Sequence, residues 1–239
     1  MAAGDDFQRR LMLSVDAKGY GSTAGGVHGV IQEGLLKVLG EAGERAGLDR
    51  SAWVRQGAGD GEFAILPATV PEPRLVDDFT RHLAAAIRRH NRTLREDLRL
   101  RLRLAIHFGT AIRAANGFAG DGPVHVSRLC DSRALKDVLA ASGAGLAVAL
   151  SDRVYADVVV QGHTTLEPED FLRIRVREKE LDVPAWVWLP DGDVHALRLD
   201  EETGEAVGTG EPPVVAPKVT VNTFNGQVDA SHAVFGFRE

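Results

Sequence analysis

Residues 9–16 alternate, with Leu11, Leu13 and Val15 on one side, which predicts a first strand ending at Asp16. Small residues and glycines fill 19–26. Val27, Ile31, Leu35, Val38 and Ala42 then recur at helical spacing, with Gly47 as the stop. Gly29 and Gly34 would weaken that helix by about 1 kcal/mol each relative to Ala, so a close approach is expected there. In residues 53–67, WVRQGAGDGEFAILP, two short apolar runs flank Gly59-Asp60-Gly61 and predict a hairpin. Pro67, Pro71 and Pro73 mark a loop. Leu75, Phe79, Leu83 and Ile87, four apart, predict an amphipathic helix over 74–92.

Residues 98–108 carry the strongest alternation. Leu98, Leu100, Leu102, Leu104, Ile106 and Phe108 interleave with Arg99, Arg101, Arg103 and His107. The arginines are expected on a solvated face or facing a partner chain. A loop or hairpin over 109–121 turns at Asn116-Gly117. One helix is expected over 122–141, with Val126, Leu129, Leu135, Val138 and Leu139 inward. Then come a strand at 145–150, a short helix capped by Ser151-Asp152, and strands near 171–176 and 185–189. This order predicts an α+β fold: a ferredoxin-like βαββαβ sandwich extended by an αβ unit and C-terminal strands. The expected organisation is a catalytic domain over 1–190, an acidic Gly/Pro linker over 191–217, and a β-prone tail over 218–239 that could add a strand to a neighbour.

Bulk composition changes the picture in three ways. The net charge of −6 argues against a general basic nucleic-acid surface. A single cysteine, Cys130, excludes an internal disulfide framework and a cysteine-rich zinc site, and is expected to be a core thiol. The N-terminus is polar, and no run approaches the ~20 apolar residues of a membrane span, so a cytoplasmic protein is expected.

The candidate chemistry begins with two carboxylates. If the strand ending at Asp16 lies beside the hairpin, Asp16 and Asp60 meet at one end of a sheet. They would repel unless a divalent cation sat between them. His107 is expected to be structural.

Four stretches, in order, resemble the class III nucleotidyl cyclase catalytic domain over roughly residues 8–190. SVDAKGYGS resembles the first-strand metal motif, and GAGDGEFAIL the hairpin carrying the second metal carboxylate. LRLAIHFGTA resembles the central strand with His107 and Gly109, and GFAGDGPVHVSRLCDS the segment bearing a catalytic arginine, Arg128. The resemblance implies two Mg²⁺ or Mn²⁺ ions per site at Asp16, Ala17 and Asp60. It implies contacts to the β- and γ-phosphates from backbone N–H groups of Ala17, Lys18, Gly19, Tyr20 and Gly21, with Arg128 steadying charge on the α-phosphate. It also implies a homodimer with composite sites, the metal pair from one chain and Arg128 from the other.

Departures from the family pattern bear on the base. The purine-reading lysine of adenylate cyclases aligns with Gln56. The residue reading the other base edge falls near Gly117. The ribose-orienting Asn aligns with Val124, or with His125 after a one-residue shift. The expected substrate is therefore a pyrimidine ribonucleoside triphosphate, UTP first and CTP second. That is the chemistry of stand-alone pyrimidine cyclases in bacterial anti-phage signalling, with a cyclic-nucleotide effector downstream. The alternatives are a non-catalytic cyclase-like binding module, a purine (ATP or GTP) cyclase, and a scaffold working through the tail.

Overall fold

The computed structural model describes residues 8–18, 25–114 and 117–199. Its centre is a sheet of strands β1 (Gln8–Ala17), β2 (Val54–Ala58), β3 (Gly61–Ile65), β4 (Leu102–Ala114), β6 (Leu146–Ser151), β7 (Leu172–Glu178) and β8 (Leu181–Trp188). Their order is β2-β3-β1-β4-β6-β8-β7, and the short β5 (Gly117–Ala119) pairs with the far end of β4. All pairings are antiparallel except β4 with β6.

Helices cover both faces. α1 (Gly25–Arg45) and α2 (Thr80–Asn91) pack on Leu11, Leu13 and Val15 of β1 and Leu102, Leu104 and Ile106 of β4. The opposite face carries Met12, Ala105 and Ala147 under α3 (Asp121–Asp131) and α4 (Arg133–Ala141). This mixed α+β arrangement is the one the element order predicts. In α1 the expected close approach occurs at Gly34, where a β-carbon would lie 2.7 Å from His90 Nε2 of α2. At Gly29 nothing lies within 4 Å.

Several local expectations are corrected. β4 begins at Leu102 rather than at residue 98. The Asn91 amide at the end of α2 donates to Leu100 O and accepts from Leu100 N, both at 2.8 Å, satisfying the groups a strand would have paired. The strand instead runs on to Ala114 and turns back as β5. The helix expected over 122–141 is two helices, broken at Ser132. There the extended backbone lets the hydroxyl accept from Leu135 N at 3.2 Å and cap α4. Ser151 precedes its short helix (Asp152–Val154, continuing as wider turns over Tyr155–Val159) without capping it through the side chain. Its hydroxyl lies 3.0 Å from His107 Nδ1 instead. Beyond β8, Val194 is buried, and Leu197 and Leu199 pack against the α3–α4 face. The tail over 218–239 and the Asn116 turn position lie outside the described residues.

Candidate active site

Asp16, next to last in β1, lies directly opposite Gly61 of β3 on one side and Arg103 of β4 on the other. Paired positions on neighbouring strands put side chains on the same face, here the face under α3. Asp16 and Arg103 form an ion pair there. Arg103 is 8% exposed, and its Nε is buried without a partner among the described residues. The expectation that Arg99, Arg101 and Arg103 line a solvated face is therefore overturned for two of the three. Arg101 turns back to donate to the main-chain oxygens of Ala144 (3.0 Å) and Ser142 (2.6 Å). Arg99 is exposed. Alternation correctly distinguishes the two faces of β4, but α3 covers the polar one, so a charge there requires an internal partner.

The Asp60 hairpin meets the end of β1 through main chain. Ala17 N donates to Asp60 O at 3.1 Å, and Lys18 N donates to Arg101 O at 2.8 Å. Gly59 takes φ +59°, a conformation natural to glycine, so that two residues suffice to reverse the chain. Gln32 of α1 anchors the tip by donating to Gly59 O at 2.7 Å. On the opposite face from Asp16, Glu62 accepts from Arg50 Nη2 at 2.8 and 3.1 Å, and both residues are buried. This brace was not foreseen from the sequence. A charged residue at the second position of an otherwise apolar strand was the available signal. Burial, followed by the Arg101 charge, holds the Lys18 amine below the ordinary lysine pKa. Gly19, Tyr20 and Gly21 lie outside the described residues.

Gln56 pairs with Phe63 in the hairpin. Together with Phe118 of β5 and with Pro123 and Ser127 of α3, they line a pocket of about 220 Å³. The Phe63 and Phe118 rings stand 6.4 Å apart. Thus Gln56, singled out for the base, does sit in a pocket. Val124 does not line it, although it is 48% exposed. Ser127, one turn after Pro123 and just before Arg128, was missed.

His125 turns inward and stacks on His107, with centroids 4.2 Å apart and planes within 7°. Burial lowers the pKa of both rings, that of His107 to about 4 with help from the His125 and Arg9 charges. Both are neutral at neutral pH. His125 thus packs on His107 at the inner side of α3, with its Nε2 buried and without a partner among the described residues. Cys130 is buried in the core beneath Arg103, as expected, and burial pushes its thiol up to about 11. Arg128, in the last turn of α3, is partly exposed and forms an ion pair at 2.7 Å with Glu180, at the tip of the β7–β8 hairpin.

Among the described residues, no three His, Cys, Asp or Glu side chains converge on one point. The acidic residues by the end of β1 are Asp16, paired with Arg103, and Asp60, whose main-chain oxygen accepts from Ala17 N. Such hard oxygen ligands suit Mg²⁺ or Mn²⁺. A cation there would need further oxygens. Among the described residues, no helix is long and apolar enough to cross a membrane.

No family model matches the sequence, and no curated protein matches it. Solved structures do. An adenylate/guanylate cyclase/hydrolase from Silicibacter pomeroyi matches at TM-score 0.53 and 18% identity, covering 78% of this chain and 100% of that one. The guanylate cyclase domain of RhGC from Catenaria anguillulae, in complex with GTP, matches at 0.52 and 16%, covering 78% and 99%. A bacterial light-regulated adenylyl cyclase matches at 0.54 and 8%, covering 79% of this chain and 55% of that one. The chain thus has the fold of class III adenylate and guanylate cyclase catalytic domains.

Proposed function

We propose that this chain is a metal-dependent nucleotidyl cyclase that converts a pyrimidine ribonucleoside triphosphate, UTP before CTP, to its 3′,5′-cyclic monophosphate and pyrophosphate. What supports the reading is that, within a cyclase fold, one chain carries both Asp16 beside the Asp60 hairpin and, next to Arg128 on α3, the Gln56 pocket. Asp16 and Asp60, with main-chain oxygen at Ala17, would hold two Mg²⁺ or Mn²⁺ ions, which would acidify the 3′-hydroxyl and neutralise phosphate charge. Lys18, with its pKa lowered, stands beside this position and offers a cation to the triphosphate. In the reaction the 3′-oxygen bonds to the α-phosphorus, the bond to the β-phosphate oxygen breaks, and the 3′-proton leaves to solvent. Arg128 steadies the charge that grows on the α-phosphate oxygens. As in the family, the proposed assembly is a homodimer with composite sites, Asp16 and Asp60 facing the partner's copy of the Arg128 segment.

The base assignment rests on Gln56 standing where adenylate cyclases carry a purine-reading lysine. A carboxamide presents one donor and one acceptor side by side, matching the N3 edge of uracil, and after a flip that of cytosine. Phe63 and Phe118 provide apolar walls, and about 220 Å³ gives room for a nucleobase. The neighbouring structures favour a second reading, a purine cyclase, since their names specify adenylate and guanylate chemistry. A role in anti-phage signalling rests on the resemblance to stand-alone pyrimidine cyclases.

Purified chain incubated with Mn²⁺ and each of the four ribonucleoside triphosphates, with products read by mass spectrometry, tests the reading. Cyclic UMP or cyclic CMP is expected. Cyclic AMP or GMP alone overturns the pyrimidine assignment, and no product from any overturns catalysis in favour of a binding module. Phage plating on cells carrying the wild-type chain or Asp60→Ala tests the defence role. Equal plaque counts overturn it.

A further inference from the structure

Two charges that the proposed reaction needs are already paired within this chain, and with opposite signs. The Asp16 carboxylate, offered to a cation, is held by the Arg103 guanidinium. The Arg128 guanidinium, offered to phosphate, is held by the Glu180 carboxylate. We propose that Arg103 and Glu180 are internal counter-ions standing where the cation and the phosphate bind, so that the metal–nucleotide complex binds by exchanging both ion pairs. This deepens the cyclase reading and rests on it.

The two halves differ in strength because their surroundings differ. Arg103 is 8% exposed, so moving Asp16 over to a cation would strand a buried positive charge. An anion must therefore arrive with the cation, and the two bind with positive coupling, each raising the affinity of the other by the same factor. Glu180 is the opposite case. Its side chain is 81% exposed, against 27% for Arg128, and it sits on a two-residue turn after Lys179, which takes φ +55°. The fold does not need the Glu180 carboxylate to place that turn. Its neighbour Glu178 already ties the hairpin to the start of α4 by accepting from Arg133 N at 2.9 Å. What Glu180 supplies is a negative charge on Arg128 that phosphate oxygens can take over.

The test measures binding rather than turnover, on the full chain at fixed ionic strength. Inorganic pyrophosphate is titrated calorimetrically, and Mn²⁺ by its free-ion paramagnetic resonance signal, each alone and then together. Glu180→Gln is expected to tighten pyrophosphate about threefold, within the range of an exposed ion pair, and to leave Mn²⁺ alone unchanged. Arg103→Met is expected to tighten Mn²⁺ alone at least tenfold and to reduce its coupling to pyrophosphate. Arg103→Lys, which keeps the charge, is expected to return both toward wild type. Pyrophosphate affinity unchanged in Glu180→Gln overturns the proposal, and so does Mn²⁺ affinity unchanged in a folded Arg103→Met. If Arg103→Met does not fold, the Glu180→Gln result and the wild-type coupling of Mn²⁺ to pyrophosphate decide alone, and absence of coupling overturns the proposal. Failure of the cyclase reading looks different: no cyclic product from any nucleotide, whatever these affinities do.

Discussion

Glu62→Ala isolates the brace behind the Asp60 hairpin. Arg50 and Glu62 are 9% and 5% exposed and are joined by two hydrogen bonds, and Arg50 Nη1 has no partner among the described residues. Burial, with a smaller push from the Arg55 charge, lowers the Arg50 pKa, and the Glu62 charge and hydrogen bond work against that. Removing Glu62 leaves a buried cation with the Trp53 ring, 4.9 Å away, as its main remaining support. Losing one partner of a buried pair costs about 3–5 kcal/mol, whereas replacing both with apolar residues of similar volume is often neutral. Glu62→Ala should therefore cost about 3 kcal/mol once the Trp53 contact is credited. Arg50→Met with Glu62→Leu should cost under about 1 kcal/mol. With a urea m-value near 2 kcal/mol/M, the single variant shifts the unfolding midpoint by about 1.5 M. Urea unfolding followed by tryptophan fluorescence measures both. A double variant as damaged as the single one would refute the claim that an uncompensated charge, rather than lost packing, is the cost. Because Glu62 lies two residues from Asp60, the single variant should also lose the proposed cyclase activity below its unfolding midpoint.

Other outcomes follow from the same geometry. Asp60→Ala and Asp16→Ala should both abolish product, but differential scanning calorimetry should separate them. Asp60→Ala keeps the wild-type melting temperature, whereas Asp16→Ala melts lower because Arg103 loses its partner. Mixing Asp60→Ala with Arg128→Ala chains should restore part of the activity through one intact composite site per heterodimer, and mixtures no better than either parent would contradict a shared site. Stability should also depend on the stacked histidines. The folded chain resists protonating His107 down to about pH 4, while the unfolded chain takes that proton near 6.5. The contribution is thus fully present above about pH 6.5 and is lost as the pH falls toward 4, at no more than about 1.4 kcal/mol per pH unit for one proton. His107→Gln should flatten that slope in chemical unfolding across the window.

The elements holding the proposed site were legible because each announces itself over a few residues. Alternation marked β1 and the body of β4, the Gly59-Asp60 pair marked the hairpin, and helical spacing marked α1 and α2. Asp16, Asp60, Gln56 and Arg128 could therefore be assigned to their elements in advance. The start of β4 and the break at Ser132 were misread because a side chain took over main-chain groups: Asn91 at Leu100, and Ser132 at Leu135. Such capture depends on what lies nearby in space as well as on local propensity.

The chain's own order of apolar and polar positions determined which segments become strands and helices, and which residues share a face, since both periods are properties of the local backbone. Tertiary structure alone decided which polar faces meet water. It put α3 over Arg103, turned His125 inward while Val124 stayed exposed, and closed the Asp16–Arg103, Arg50–Glu62 and Arg128–Glu180 pairs. A charge's partner is set by distance and dielectric once distant segments have packed. Sequence periodicity carries information on neither.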